Sequence, residues 1–245
     1  MAEFTVTIKN QTLNFITNDK VFSPRALDAG TAAMLSVAEF MPDDKVLDLG
    51  CGYGAVGILA AKLAPSCQVT MCDISEDALA LAFKNAQRNS IPVAEVPSFC
   101  VPSGDTAFNA DICRNEALNL PQNFIHIKKS DGFSLITDAD FTKILSNPPY
   151  HTDFSVAKGF IEDGFSHLVT GGTMYMVTKR REWYKNKLIS VFGGVHIDEI
   201  DGYYVFTAQK RANRTKIHHS GAKTTGNPQK LSKKLARKEN RKRGR

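Results

Sequence analysis

KVLDLGCGYGAVG, residues 45–57, decides the fold. Val46 to Leu49 is an apolar run interrupted only by Asp48, the pattern of a strand buried on both faces, and it leads straight into Gly50, Gly52 and Gly54. From Ala55 to Leu63 the residues are small and apolar, as a helix packed closely on a sheet requires, and Pro65 follows its end. Strand, glycine loop and helix in this order open a βα unit with its loop at the carboxyl end of the strand.

The alternation continues downstream. QVTMCD (68–73) predicts a second strand, after which Ser75 can cap a helix with Glu76 and Asp77 in its first turn and Leu79, Ala82, Phe83 and Ala86 on one face. FIHIKK (124–129) and KILSN (143–147) predict two more strands. Phe154, Ala157, Ile161, Phe165 and Leu168 share a helical face that Gly171-Gly172 should end, and TMYMVT (173–178) follows as a strand. A helix within Glu182 to Phe192 precedes VHIDEI (195–200) and YYVFTA (203–208), joined by Asp201-Gly202, a strong signal for a two-residue hairpin turn. The pattern predicts a doubly wound, Rossmann-like α/β sandwich whose mixed seven-stranded sheet ends in an antiparallel hairpin.

Two segments flank or interrupt this plan. Phe4, Val6 and Ile8 alternate with Thr5 and Thr7, and the alternation resumes at Leu13 and Phe15 beyond Asn10-Gln11, which predicts an N-terminal hairpin within residues 1–20. A helix is then expected from Ala26 to Phe40, ending before Met41-Pro42. Residues 92–123 contain four prolines and no sustained period, and read as an inserted loop.

Charge divides the chain at Lys210. Residues 210–245 carry 14 basic residues and one acid, leaving 17 basic and 24 acidic residues in the first 209, so a body near −7 precedes a tail near +13. A basic block with few apolar residues is expected to stay solvated and disordered, and to serve as an appendage for a polyanion. One globular unit over 1–209 is expected. No apolar run approaches the ~20 residues that span a bilayer, and MAEFTVTIKN lacks the pattern of a signal peptide, so a cytoplasmic protein is expected. Cys51, Cys67, Cys72, Cys100 and Cys113 form no CxxC pair, which suits reduced structural thiols and points to no metal. Nothing in the sequence speaks to oligomeric state.

The chemistry is concentrated at strand ends. The glycines run G-x-G-x-G, not the G-x-G-x-x-G of dinucleotide sites, and Asp48 would oppose a pyrophosphate. The same carboxylate favours the ammonium and sulfonium of S-adenosylmethionine. Taken alone, the glycines also suit a tight structural turn. Asp73, about 20 residues beyond the glycines, can accept from both hydroxyls of a ribose. Asp131 can accept from an adenine amino group in the same way, although each aspartate by itself also fits a turn or helix cap. Asn147-Pro148-Pro149-Tyr150 follows the fourth strand. Its two prolines remove two N–H donors, so the Pro148 carbonyl and the Asn147 amide oxygen can face outward as paired acceptors for an exocyclic NH2, with Tyr150 as a stacking surface. Lys179, Arg180 and Arg181, at the carboxyl end of the fifth strand, suit contacts to RNA phosphates and equally suit a solvated charged loop.

With these motifs the chain resembles class I methyltransferases bearing an NPPY-type motif, within the small-domain family of ribosomal RNA guanine-N2 methyltransferases. The resemblance covers about residues 13–210 and is carried by VFSPRALDAGTAAML (21–35), KVLDLGCGYGAVG (45–57), VTMCDIS (69–75), SDGF (130–133), LSNPPY (145–150) and GYYV (202–205). It implies that Asp48, Gly50, Gly52 and Gly54 line the methionine part of S-adenosylmethionine, that Asp73 meets its ribose and Asp131 its adenine, that Cys51, Ile74 and Asn147 also border the cofactor, and that Asn147 to Tyr150 hold the target amine. The implied partner is ribosomal RNA or the small ribosomal subunit, reached through the basic tail. The rival readings are an adenine-N6 methyltransferase, a protein glutamine methyltransferase and a catalytically silent RNA-binding assembly factor. The insertion at 92–123 and the long tail depart from the family.

Overall fold

The computed structural model describes residues 2–19, 21, 23, 25–64, 66–94, 97, 124–149 and 154–212. Most of the 92–123 insertion, the tail from 213 onward, and Tyr150 therefore lie outside the described residues.

Strands β3 (Lys45–Leu49), β4 (Gln68–Asp73), β5 (Phe124–Lys129), β6 (Phe141–Ser146), β7 (Leu168–Thr178), β8 (His196–Ile200) and β9 (Tyr203–Gln209) form one sheet in the order β5-β4-β3-β6-β7-β9-β8. The first five are parallel neighbours, and β9 pairs antiparallel with both β7 and β8. This is the doubly wound mixed sheet that the alternation predicts, with its chain reversal between β3 and β6, where such sheets leave a crevice. Asp201 and Gly202 both have positive φ, as a type I′ turn demands.

Alternation along the strands feeds two cores. Val46, Val69, Met71, Leu145 and Val177 face one layer, with α1 (Ala29–Val37), α2 (Ala55–Leu63) and α3 (Glu76–Arg88). Leu47, Leu49, Ile144, Met174, Met176 and Phe206 face the other, with α4 (Phe154–His167) and α5 (Arg181–Phe192). Both faces are covered, which is why the central strands read as continuous apolar runs. Gly57 is required where α2 crosses β4: a Cβ there would meet Met71 Cγ at 2.5 Å.

A separate two-stranded sheet, β1 (Ala2–Ile8) with β2 (Gln11–Thr17), turns at Lys9-Asn10, both in the left-handed region. Phe4, Phe15 and Tyr53 pack edge or tilted at 5.4–5.9 Å between centroids, fixing the hairpin beside the glycine loop.

Two boundaries differ from the sequence expectation. Helix α1 starts at Ala29 rather than Ala26, because the Asp28 carboxylate accepts from Thr31 N at 2.8 Å and caps it there, and it ends at Val37 with Ala38 extended. Gly171-Gly172 does not end α4. The helix stops at His167, Leu168 already pairs with Phe141 in β7, and the glycines sit within the strand at a register shift, where Gly171 N donates to Lys210 O and Lys210 N to Gly172 O.

Candidate active site

The carboxyl ends of β3, β4 and β6 converge on a cavity of about 470 Å³. Its wall is built first by backbone. Gly50 N and Cys51 N both donate to Cys72 O at 2.9 Å, tying the end of β3 to the end of β4. The Asp73 carboxylate then grips the loop from below: Oδ2 accepts from Gly52 N and Oδ1 from Ser75 N, each at 2.9 Å. Those two bonds occupy about half of a carboxylate's acceptor capacity.

Asp48 is the most constrained acid of the site. It is 2% exposed, and its Oδ2 accepts from Gly57 N at 2.9 Å. Burial pushes its pKa up to about 7; the Gly57 N–H opposes that shift, and Asp73 adds to it. A carboxyl group in this state is stabilised as an anion by any cation brought into the cavity. The same burial, with Asp48 and Asp73 nearby, pushes the Cys51 thiol well up, so Cys51 stays protonated and acts as a small wall residue.

Among the residues singled out by sequence, the cavity wall unites Asp48, Gly50, Cys51, Gly52, Asp73, Ile74, Asp131, Asn147, Pro148 and Pro149. Ile74 is 62% exposed, an apolar surface on the cavity wall rather than in the core. Gly54 is different. It stands behind the wall at the start of α2 with φ 93°, where an added Cβ would meet Ala82 and Met71 at 3.2 Å. Lys179, Arg180 and Arg181 are exposed and do not line the cavity. Each lies over a ring: Lys179 over Tyr203 at 4.6 Å, Arg180 over Phe154 at 5.0 Å and Arg181 over Tyr204 at 5.8 Å, with Arg181 also paired to Glu182 at 2.6 Å. Tyr150 lies outside the described residues.

Asn147 reveals partners that sequence reasoning missed. Its Nδ2 donates to Asp28 Oδ2 at 2.8 Å and to Thr31 Oγ1 at 2.9 Å, and both partners line the cavity. They belong to the N-terminus of α1, more than a hundred positions away in the chain, so local patterning reports only the cap. Phe160 was also missed. It lies beside the stripe that the sequence marks on α4, half-buried against the same core, with its ring next to Gly50 and Gly132. A large apolar residue adjoining the periodic stripe is the signal that would have found it.

Among the described residues no cluster of His, Cys, Asp and Glu is able to hold a metal ion, and no helix is long and apolar enough to cross a membrane.

A glycine loop between β3 and α2, acids at the ends of β3 and β4, and Asn147-Pro148-Pro149 at the end of β6 define a class I methyltransferase site on its fold. The chain belongs to the methyltransferase small domain family, whose model matches residues 12–113 and 103–207. It is an S-adenosylmethionine-dependent methyltransferase. Over 209 residues it is 26% identical to the uncharacterized protein YbxB of Bacillus subtilis, covering 83% of this chain and 89% of that one. It is 31% identical over 178 residues to ribosomal RNA small subunit methyltransferase C of Mannheimia succiniciproducens, covering 71% of this chain and 44% of that one. The chain thus spans about half the length of the ribosomal RNA methyltransferases it matches. The fold is shared with a Thermus thermophilus 16S rRNA N2 methyltransferase in complex with AdoMet and guanosine, at TM-score 0.65 and 21% identity, covering 85% of this chain and 50% of that one.

Proposed function

We propose that this chain methylates the exocyclic N2 amine of a guanine in small-subunit ribosomal RNA, in the cytoplasm. The observation that carries the reading is Asn147-Pro148 on the wall of the cavity, with the amide nitrogen of Asn147 donating to Asp28 and Thr31. Two acceptors side by side match the two donors of an aromatic NH2. Held by both, the amine turns its lone pair out of conjugation, and the acceptors stabilise the positive charge that builds on nitrogen. The printed functions of the small-subunit methyltransferase C relatives and of the guanosine-bound Thermus enzyme support guanine N2 as that amine.

In this reading Asp48, Gly50, Cys51 and Gly52 face the methionine part of the cofactor, Asp73 accepts from the ribose, and Ile74 and Asp131 flank the adenine. Gly54 shapes the loop. Tyr150 stacks on the target base. Bound S-adenosylmethionine supplies an electrophilic methyl on a sulfonium. The test is direct: labelled cofactor with unmodified small ribosomal subunits, followed by nucleoside mass spectrometry. N2-methylguanosine is expected, and N6-methyladenosine as the sole product would overturn the guanine assignment.

The state of Asp48 adds a pH dependence. Its pKa of about 7 lies above the ordinary value of 3.8, so the folded protein without cofactor holds a proton that the unfolded chain releases, and the contribution of this group to stability is lost as pH rises from about 4 through about 7. A cationic cofactor reverses the preference. Its affinity should rise with pH by up to about tenfold per unit below pH ~7 and level off above it, with proton release on binding. Calorimetry in buffers of different ionisation enthalpy checks this against Asp48→Asn, in which that component should vanish.

The basic tail and the Lys179–Arg181 cations are assigned to RNA phosphates. An acidic body near −7 is a poor platform for a polyanion, so the tail near +13 supplies the nonspecific contacts while strand-end residues choose the base. Deleting residues 214–245 should leave cofactor affinity and the methylated nucleoside unchanged. Each phosphate contact contributes ~0.7 to 0.9 to the log–log salt slope of binding, so losing four should flatten it by about three units. Equal slopes for both proteins in a salt titration with a ribosomal RNA fragment would remove the tail from this role.

A further inference from the structure

A primary amide is nearly symmetric in shape, and its two orientations differ only in which end accepts. For Asn147 to present oxygen to an amine, something must choose between them. Asp28 Oδ2 lies 2.8 Å from Nδ2 and Thr31 Oγ1 lies 2.9 Å from it. The Thr31 hydroxyl also donates to Asp28 Oδ2 at 3.3 Å, and Thr31 N donates to the same oxygen at 2.8 Å. The donor–acceptor order is thus consistent throughout. The carboxylate only accepts, the hydroxyl accepts from Asn147 and donates its own hydrogen to Asp28, and the amide donates through both of its hydrogens. In the flipped orientation the amide oxygen would face a carboxylate across the same gap, a like-polarity contact in a half-buried site.

We propose that Asp28 and Thr31 are positioning residues that lock the Asn147 amide with its oxygen turned toward the methyl-accepting amine. This deepens the amine-methyltransferase reading and rests on it. The cap of α1 therefore has two functions: the carboxylate that starts the helix also orients a side chain at the end of β6. Neither residue touches the reacting atoms.

Thr31→Val removes the hydroxyl, keeps the side-chain shape and leaves Asp28 capping Thr31 N. Asp28→Asn keeps a capping side chain and removes the charge. Both should lower kcat about tenfold or more while the KM for S-adenosylmethionine stays within about twofold, and Thr31→Ser should recover most of the loss. The second readout needs no substrate. The Asn147 side-chain amide signal in a nitrogen-15 spectrum, assigned by its disappearance in Asn147→Asp, should exchange slowly with water in the wild type and in Thr31→Ser, and about tenfold or more faster in Thr31→Val. Wild-type kcat in Thr31→Val and Asp28→Asn, a KM for cofactor that rises in step with any loss of kcat, or amide exchange unaltered by Thr31→Val would each overturn the proposal. A wild-type enzyme that methylates an amine other than guanine N2 would defeat the guanine assignment alone, since kcat is then read on that amine and the amide signal is read without either.

Discussion

Asn147→Ala is expected to lower turnover by about two orders of magnitude or more while cofactor affinity stays within about twofold. The expectation follows from where the two ends of the side chain go. The donor end is engaged by Asp28 and Thr31, and the carbonyl end is the part proposed to meet the substrate amine. Truncation deletes that acceptor and leaves the Pro148 carbonyl, a backbone group, in place. One of two oriented partners for the amine is lost, and losses of a single preorganised partner for developing charge cost about 2.7 to 4 kcal/mol of transition-state stabilisation. The groups proposed to hold the methionine part and the ribose of the cofactor sit at the ends of β3 and β4, tied by Gly50, Cys51 and Gly52 to Cys72 and Asp73, and none of these bonds passes through Asn147. Single-turnover methyl transfer with labelled cofactor, beside calorimetric binding, separates the two quantities. Turnover near wild type would remove Asn147 from the chemistry, and a matching collapse of cofactor affinity would make it a cofactor ligand.

What could be read from the chain without coordinates was local in origin. The βα unit at 45–63, the Ser75 cap and the Asp201-Gly202 turn each depend on residues a few positions apart, and the structure reproduces them. Asp48, Asp73, Asp131 and Asn147 were legible because strand ends in an open α/β sheet lie on one edge, so listing polar residues there already lists a cavity wall. Apart from the start of α1, the misses are tertiary. Gly171-Gly172 looks like a helix stop in sequence, yet the pairing of Leu168 with Phe141 takes the chain into β7 before the glycines are reached. Asp28 falls inside the helix expected from Ala26, whereas it caps that helix at Ala29 and takes a second partner from the end of β6. Periodicity marks the buried stripe of α4 and gives no role to Phe160 beside it.

Asn85→Leu is expected to destabilise the fold by about 3 to 5 kcal/mol, because three backbone groups, one buried and two part-buried, lose their partner at once, each at about 1 to 3 kcal/mol with partial relaxation. Asn85 is fully buried on α3. Its Oδ1 accepts from Ile16 N at 2.8 Å, and its Nδ2 donates to Ile16 O and to Tyr53 O, each at 3.0 Å. One turn on, Asn89 repeats the pattern, accepting from Asn14 N at 3.0 Å and donating to Asn14 O at 2.9 Å. The two amides stand in for a third strand on the outer edge of β2. The match is geometric: residues four apart on a helix rise ~6 Å, and residues two apart on a strand advance ~6.8 Å. An edge that would otherwise offer unpaired N–H and C=O groups is thereby closed by a helix. The two asparagines differ in one respect that reaches the active site. Asn85 also holds Tyr53 O in the glycine loop, whereas among the described residues Asn89 binds β2 and the backbone of its own helix. Asn85→Leu should therefore lower both the melting temperature, by roughly 10 °C for a domain of this size, and the affinity for S-adenosylmethionine. Asn89→Leu should lower the melting temperature with cofactor affinity nearly intact, and Lys84→Ala, exposed on the same helix, should alter stability by no more than ~0.5 kcal/mol. Thermal melts and calorimetric binding on the three variants decide the matter. A melting temperature for Asn85→Leu within about 2 °C of wild type would mean that the hairpin is held by its other contacts, Asn89 and the Phe4, Phe15 and Tyr53 rings among them, and equal cofactor losses in Asn85→Leu and Asn89→Leu would mean that the loop feels the whole hairpin rather than the single bond to Tyr53.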